Sequence, residues 1–446
     1  MLDSVRSYAS QMGPTWLAGA IAAGPATMAS LVTGGATFGY ALLWITVLSA
    51  MLGATSQYLS ARLGLLTERG IVGVVEEHLG TWWAWLLVAD TVLASGLAQL
   101  VIMKTVAGVS ATITGVDARV WAVVWGLLLA VGLAGGGYRL AELGAKLLVS
   151  LVVLAFVASV FVVPIDLGAA AAGLVPRIPS GVSGALVAAG ILGGAVHITL
   201  VTMQSYTMRA RGWTRDDEGL ARFDIGASML GAFGVYSLAI FLVAAAVLHS
   251  PGVNAADLTA VSAAQALGPL VGGYAKWLFL FGLAGAAVTT LGGNTVVPPY
   301  LLADKLGWDR DVSDPRYRGA IVATALLGIG GVFLGGAFFQ LLVLVLAFGL
   351  VGTPFALALV LYLLNDPGAV PETNGPTANL AGLVLVGVTV VTAGSFLREQ
   401  VAGGIDPITG LVVVFAAVLA AATLALLALF VREWLATGRR QHGAAE

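Results

Sequence analysis

The sequence predicts an all-α protein that crosses a membrane about twelve times, and three observations carry that prediction. Of 446 residues, 59% are hydrophobic and only 10% charged, with a mean hydropathy of +0.96, whereas a water-soluble domain carries about a quarter of its residues as charges. Apolar stretches close to the ~20 residues that a helix needs to cross the hydrocarbon core recur from Pro14 to Val431. Between them the basic residues fall on one side. Barrel strands would show ~10-residue alternation instead.

Taken in order, the spans are expected near 14–33, 37–62, 82–108, 119–137, 143–163, 183–207, 224–248, 271–300, 317–336, 338–364, 378–396 and 407–430. An orientation with both termini in the cytoplasm puts sixteen Lys and Arg inside, from Arg6 and Arg62 through Arg209, Arg211, Arg215 and Arg222 to Arg440. Only Arg119, Arg177 and Arg398 fall outside, the asymmetry expected of a membrane protein's loops. The first hydrophobic segment lacks the basic flank and small-residue cleavage site of a secretory signal, so it is expected to remain as a span.

Two spans carry helix-disrupting residues in their middle. The first reads Gly24-Pro25-Ala26-Thr27; Pro25 removes a backbone donor and clashes with the preceding turn, so the helix should kink or unwind. The sixth reads Gly193-Gly194-Ala195-Val196-His197-Ile198-Thr199, where a glycine pair loosens the helix. Five spans separate the two, the spacing of inverted repeats that hold a substrate where two broken helices meet. On that reading the chain is one domain, 1–446, with a first repeat at 14–163, a second at 183–364 and two peripheral helices at 378–430, a LeuT-type core. The alternative is that Gly and Pro are common in such helices and the pairing is coincidence.

Several blocks resemble the NRAMP divalent-metal transporters. Gly13-Pro14-Thr15-Trp16-Leu17-Ala18, Gly39-Tyr40-Ala41-Leu42-Leu43-Trp44 and Leu59-Ser60-Ala61-Arg62-Leu63-Gly64 are similar to the family's first two helices. The likeness continues with Leu174-Val175-Pro176-Arg177-Ile178-Pro179, Arg222-Phe223-Asp224, Ala256-Asp257-Leu258-Thr259, Leu267-Gly268-Pro269-Leu270 and Thr353-Pro354-Phe355-Ala356-Leu357. The resemblance covers roughly the first ten spans and implies the LeuT-type fold independently. It also exposes departures. The family's Asp-Pro-Gly-Asn ligand motif is matched here by Gly24, Pro25, Ala26 and Thr27, and its Met-Pro-His by His197, Ile198 and Thr199. A further family histidine is matched by Gln204, and acidic residues of the third helix, tied in the family to proton movement, by Gly96 and Gln99.

The expected substrate site is therefore Gly24, Ala26, Thr27, His197, Thr199 and Gln204, a neutral set remodelled away from ordinary manganese or iron transport. It would take a small ion or small solute, or a hydrated divalent cation held by His197 with Thr27. A single imidazole is a thin ligand set for a transition metal. His197, Asp90 and Gln99 are the candidates for a proton path, since ionisable groups inside spans are functional candidates by default. For His197 the alternative is a hydrogen bond that holds helices together, and for Asp90 a structural partner in the protein. Thr289, Thr290 and Asn294, in a glycine-rich stretch of the eighth span, are a candidate sodium site or small-residue packing. The coupling ion would be H+ or Na+, with no other cofactor.

Other features have plainer readings. Lys104 is expected to snorkel to the headgroups, Asp224 to cap a helix start or gate it, and Trp82-Trp83-Trp85 to sit in an interfacial belt. Glu76 and Glu77 read as solvated loop charges. With no cysteine there are no disulfides or thiolate sites, and a net charge of −2 gives no case for nucleic acid. No HExxH, phosphate loop or GxSxG elbow occurs, so an enzyme is not expected. The bilayer itself and a small ion or solute are the expected partners, the plasma membrane of a prokaryote the expected location. A sensor or scaffold that has lost transport is the competing class.

Overall fold

The computed structural model describes residues 24–135, 139–179, 183–250, 252–404 and 407–443. Of the expected first span only the part from Gly24 onward is described, since 14–23 lie outside the described residues. Helix α1 runs Pro25–Phe38 with Gly24 extended in front of it. Pro25 suits this place, since the first helical residue needs no N–H partner and its φ is preset. Gly39, at φ +55, ends the helix, a conformation that glycine adopts without strain. One 3-10 turn, Gly39–Leu42, reverses the chain into α2, Leu43–Thr67.

After α2 come a short helix α3, Ile71–Leu79, and then α4, Thr81–Thr114, α5, Ala118–Gly135, and α6, Arg139–Ser159. A six-residue helix, α7, Leu167–Ala172, follows. The sixth span is two helices, α8, Gly184–Val196, and α9, Ile198–Ala210, parted at His197, whose φ of −54° and ψ of 141° are not helical. The seventh begins as α10, Glu218–Ile225, widens to a π-helix over Gly226–Gly234, and ends as α11, Val235–Val247. The eighth is α12, Ala275–Thr295, continued by α13, Val297–Leu306.

The ninth is α14, Pro315–Leu327, with a 3-10 extension to Phe333. The tenth is again divided, into α15, Phe338–Val351, and α16, Thr353–Leu363, at Gly352. Two long helices close the chain, α17, Pro376–Ala402, and α18, Pro407–Gly443.

Ten stretches of the described residues are long and apolar enough to cross a membrane. One of them, Pro25–Thr67, holds the described part of the first expected span and the second, and the ninth expected span is α14 with its 3-10 extension. The described residues thus form an all-helical membrane protein, with α1 starting at Pro25 and the sixth span interrupted at His197.

Burial sorts these helices. In the sixth and tenth spans 83% of the most apolar window is buried, against 28% in α18 and 22% in α5. Exposed Leu411, Val131 and Phe161 face outward, where lipid rather than water is the solvent. Close approach at the centre depends on glycine: a Cβ on Gly35 would stand 2.6 Å from the Phe241 carbonyl of α11. Small residues let transmembrane backbones pack in this way. One contact reaches inward from the periphery. The Glu399 carboxylate of α17 accepts from the N–H groups of Ser183 and Ala185 at 2.9 Å and of Leu186 at 3.4 Å, capping the start of α8.

Candidate functional site

The two breaks meet. Thr27 is 3% exposed and lies against Gly194 of α8, where a Cβ would stand 2.7 Å from its hydroxyl oxygen. One turn along α8, His197 interrupts the helix. Gly24, capping α1, sits against Thr290 of α12, with 2.8 Å between a Cβ there and the Thr290 hydroxyl. So α1, α8 and α12 present Gly24, Thr27, Gly194 and Thr290 to one another. The carbonyls of the first turn of α1 are engaged within it: Gly24 accepts from Met28 N–H at 3.1 Å and Ala26 from the Ser30 hydroxyl at 2.9 Å.

At the second break the Nδ1 of His197 accepts from the N–H of Thr199 at 3.3 Å and lies 2.9 Å from its hydroxyl. This fixes the neutral ring with its proton on Nε2. The ring is accommodated by Gly349 of α15, where any Cβ would overlap the Nε2. The Val196 carbonyl, freed by the interruption, accepts from the Thr353 hydroxyl at 2.8 Å, which also lies 3.1 Å from the Gly349 carbonyl. Thr353, Gly349 and Gly352 are thus part of the site although sequence reasoning did not single them out for it. The signal was present: Gly352-Thr353-Pro354 places glycine and proline in mid-span as Gly24-Pro25 does.

The remaining candidates are placed elsewhere. Gln204 lies half-buried about two turns farther along α9, ~10 Å of helix rise from His197. Gln99 and Asn294 meet each other instead of the breaks. The Asn294 amide donates to Gln99 Oε1 at 3.0 Å and to the Ser95 carbonyl at 2.8 Å, and Ser95 Oγ donates to Asn294 Oδ1 at 3.0 Å. Gln99 Nε2 donates to Thr295 Oγ1 at 2.8 Å, which itself donates to the Leu291 carbonyl. Thr289 and Thr290 turn their hydroxyl protons back onto backbone carbonyls of α12. Asp90 is buried on α4 with its carboxylate against Gly352. Among the described residues no group of three His, Cys, Asp or Glu could hold a metal ion.

One end of the bundle is laced by ion pairs. Glu218 of α10 takes Arg62 of α2 at 2.8 Å and Arg222 at 2.8 Å, and Tyr58 donates to it at 2.7 Å. Asp224 pairs with Arg211 at 2.7 Å. Asp304 accepts from Tyr206 of α9 at 2.7 Å and from Gly73 N–H of α3 at 3.1 Å. Lys305 and Thr81 both donate to Glu76 at 2.8 Å. The Lys305 hydrogen bond, then that of Thr81, holds the Glu76 carboxyl below its ordinary range. Lys104 donates to the Leu334 carbonyl.

Residues 15–399 match the family model described as natural resistance-associated macrophage protein-like. The divalent metal cation transporter MntH of Deinococcus radiodurans is 30% identical over 314 residues, 67% of this chain and 70% of its own. The manganese transporter of Eremococcus coleocola superposes with a TM-score of 0.72 at 16% identity, covering 98% of this chain and 96% of its own. MhsT, in a complex with L-phenylalanine, shares the fold at a TM-score of 0.57 and 16% identity, over 86% of this chain and 98% of its own. By the family match across most of its length, the chain belongs to the natural resistance-associated macrophage protein family of membrane transporters.

Proposed function

We propose that this chain is a secondary-active transporter that carries a divalent cation, still partly hydrated, through a neutral site where helices one and six are broken. The observation that carries this reading is the seating of Thr27 on Gly194, one turn from the interruption at His197. Relatives named divalent metal cation transporters support the class of substrate. The side chains at the breaks support the hydrated form: neutral groups such as the hydroxyls of Thr27 and Thr199 stand where carboxylate and thioether would be needed to strip the ion of its waters. A hard ion that gives up its waters reluctantly, as Mg2+ does, needs few protein ligands, whereas softer transition metals favour several nitrogen or sulfur donors.

Transport then means opening the breaks to each side in turn. The ion-paired end described above would have to part for access there, and its basic loops favour the cytoplasmic face of a prokaryotic plasma membrane with both termini inside. Proton coupling is favoured over sodium, because the Asn294 side chain is already committed within the protein, its oxygen accepting from Ser95 and its amide donating to Gln99 and the Ser95 carbonyl.

The test is uptake into sealed proteoliposomes of Mg2+, Mn2+ and a panel of small solutes, under imposed proton or sodium gradients. Flux of a divalent cation that falls at least severalfold in His197→Ala and Thr27→Val is expected. Flux of an organic solute alone would replace the cation reading. No flux of any solute would favour a sensor, and Mn2+ flux indifferent to both substitutions would overturn the site.

A further inference from the structure

The ion-paired end of the bundle borders a groove remote from both breaks. It holds about 640 Å³ between α2, the start of the π-helix and α17, within the range of about 300–1,000 Å³ typical of small-ligand sites. The seventh span runs antiparallel to α2: Arg62 meets Glu218, while Gly53, earlier on α2, stands against Met229 of the π-helix. The groove therefore has a charged end, with Tyr58, Arg62, Arg222 and Glu372, and an apolar end, with Ala54, Ile225 and Ala381.

That division follows the membrane. The spans expected at 37–62, 224–248 and 378–396 each have one end here, which puts the charges at headgroup depth and the apolar end in the hydrocarbon. Each wall also continues along its helix onto an exposed apolar side chain: Thr55 to Met51 on α2, Gly226 to Leu230 on the π-helix, and Ala381 to Val384 on α17. A ligand seated here has its polar part among charges and its remainder against lipid-facing surface.

The charges name the headgroup. Arg62 is buried and pairs with Glu218 at 2.8 Å and Glu372 at 3.5 Å, yet its Nε has no hydrogen-bond partner. Arg222 uses Nη2 for both the Tyr58 hydroxyl at 2.7 Å and Glu218 at 2.8 Å, and its side chain is still 58% exposed. Arg215 also pairs with Glu372, so three guanidinium groups meet two carboxylates and leave one positive charge in excess. A guanidinium fork matches phosphate oxygens, and basic pockets between membrane helices suit lipid headgroups. Glu372 is half-exposed beside them, and each carboxylate oxygen can accept more than one hydrogen bond. A phosphate and an N–H-bearing cation thus find places side by side.

We propose that this groove binds one phospholipid, its phosphate on Arg222, the amine of an ethanolamine headgroup on Glu372, and its acyl chains along Met51, Leu230 and Val384. A choline headgroup carries the same phosphate and charge but no N–H, and a glycerol headgroup carries no cation, so both are held less tightly. A lipid so placed bridges the second, seventh and eleventh spans.

The test is native mass spectrometry of the full chain, delipidated in detergent and titrated with phosphatidylethanolamine, phosphatidylcholine and phosphatidylglycerol of identical chains. Wild type is expected to retain its first phosphatidylethanolamine at least severalfold better than either of the others. Glu372→Gln should bring ethanolamine down to the level of choline, and Arg222→Gln should weaken all three. Equal retention of the three lipids by wild type overturns the proposal, as does wild-type retention in Arg222→Gln. Because Arg222 also serves Glu218, Ala381→Trp provides a variant that fills the apolar end and leaves the ion pairs alone. Loss of the preference is expected there, and a preference that survives overturns the proposal. Displacement of the lipid by an equal concentration of inorganic phosphate would make this a site for free phosphate and overturn it as well. Binding is read without transport, so failure here is distinct from failure of the transport reading.

Discussion

Helix α4 offers two buried polar seats one above the other, and they are built in opposite ways. Toward α12, Ser95 and Gln99 interlock with Asn294 and Thr295 in a network whose donors and acceptors answer each other. Toward α15, Asp90 presses on glycine with an oxygen unanswered. A saturated network is fixed, since moving any member strands the others in a medium that cannot replace the bond. An unanswered carboxyl is free to change partner. The first kind of seat holds two spans together and the second can take part in exchange.

That contrast is open to measurement. The largest effect is expected at the saturated seat, where Asn294→Leu strands Ser95 and Gln99 and should lower stability by about 3 kcal/mol, read as thermal denaturation in detergent. Asp90→Leu at the other seat removes a buried acid whose Oδ2 has no hydrogen-bond partner, so an unchanged or raised midpoint is expected; a loss as large as that of Asn294→Leu would erase the distinction between the seats.

Next in size is Thr353→Val, which frees the Val196 carbonyl at the break of the sixth span and should cost about 1 kcal/mol. Cation uptake should fall with it, because the interruption at His197 loses the bond that defines its shape. Uptake equal to wild type would show that Thr353 only fastens the tenth span.

The smallest effect lies outside the membrane. Glu76 has a folded-state pKa below that of the unfolded chain, so its contribution is present above the ordinary glutamate range and is lost as pH falls through the folded value. Glu76→Gln should therefore differ slightly from wild type between pH 6 and 8 and converge with it in acid. Divergence that grows on acidification would assign the contact the wrong sign.

Much of the fold was legible because membrane burial writes a coarse pattern of long apolar stretches, and a helix-loosening sequence in the sixth span marked the neighbourhood of its break. The local cause of the second break was less so. The sequence draws attention to Gly193-Gly194, yet both stay helical. Their missing side chains serve contact, Gly193 meeting the Leu346 carbonyl of α15 and Gly194 meeting Thr27, and the chain opens three residues later. Which polar residues would meet was not legible. Gln99 and Asn294 are 195 residues apart and find each other across two helices, while Asp90 finds a glycine of the tenth span. Such pairings depend on helix rotation, which a periodicity too weak to distinguish faces of an all-apolar helix cannot specify.

The cap that Glu399 places on α8 ties a lipid-facing rod to the half-helix that ends at His197. Tilting that half-helix would drag α17 along or forfeit bonds to three peptide groups. Among the described residues no hydrogen bond or ion pair ties the other half, α9, to α17 or α18 in this way, so the cheaper hinge lies beyond His197. Thickening or thinning the surrounding bilayer, which acts first on the outer rods, should then bias the rocking of the inner ones, making lipid chain length a handle on the cycle.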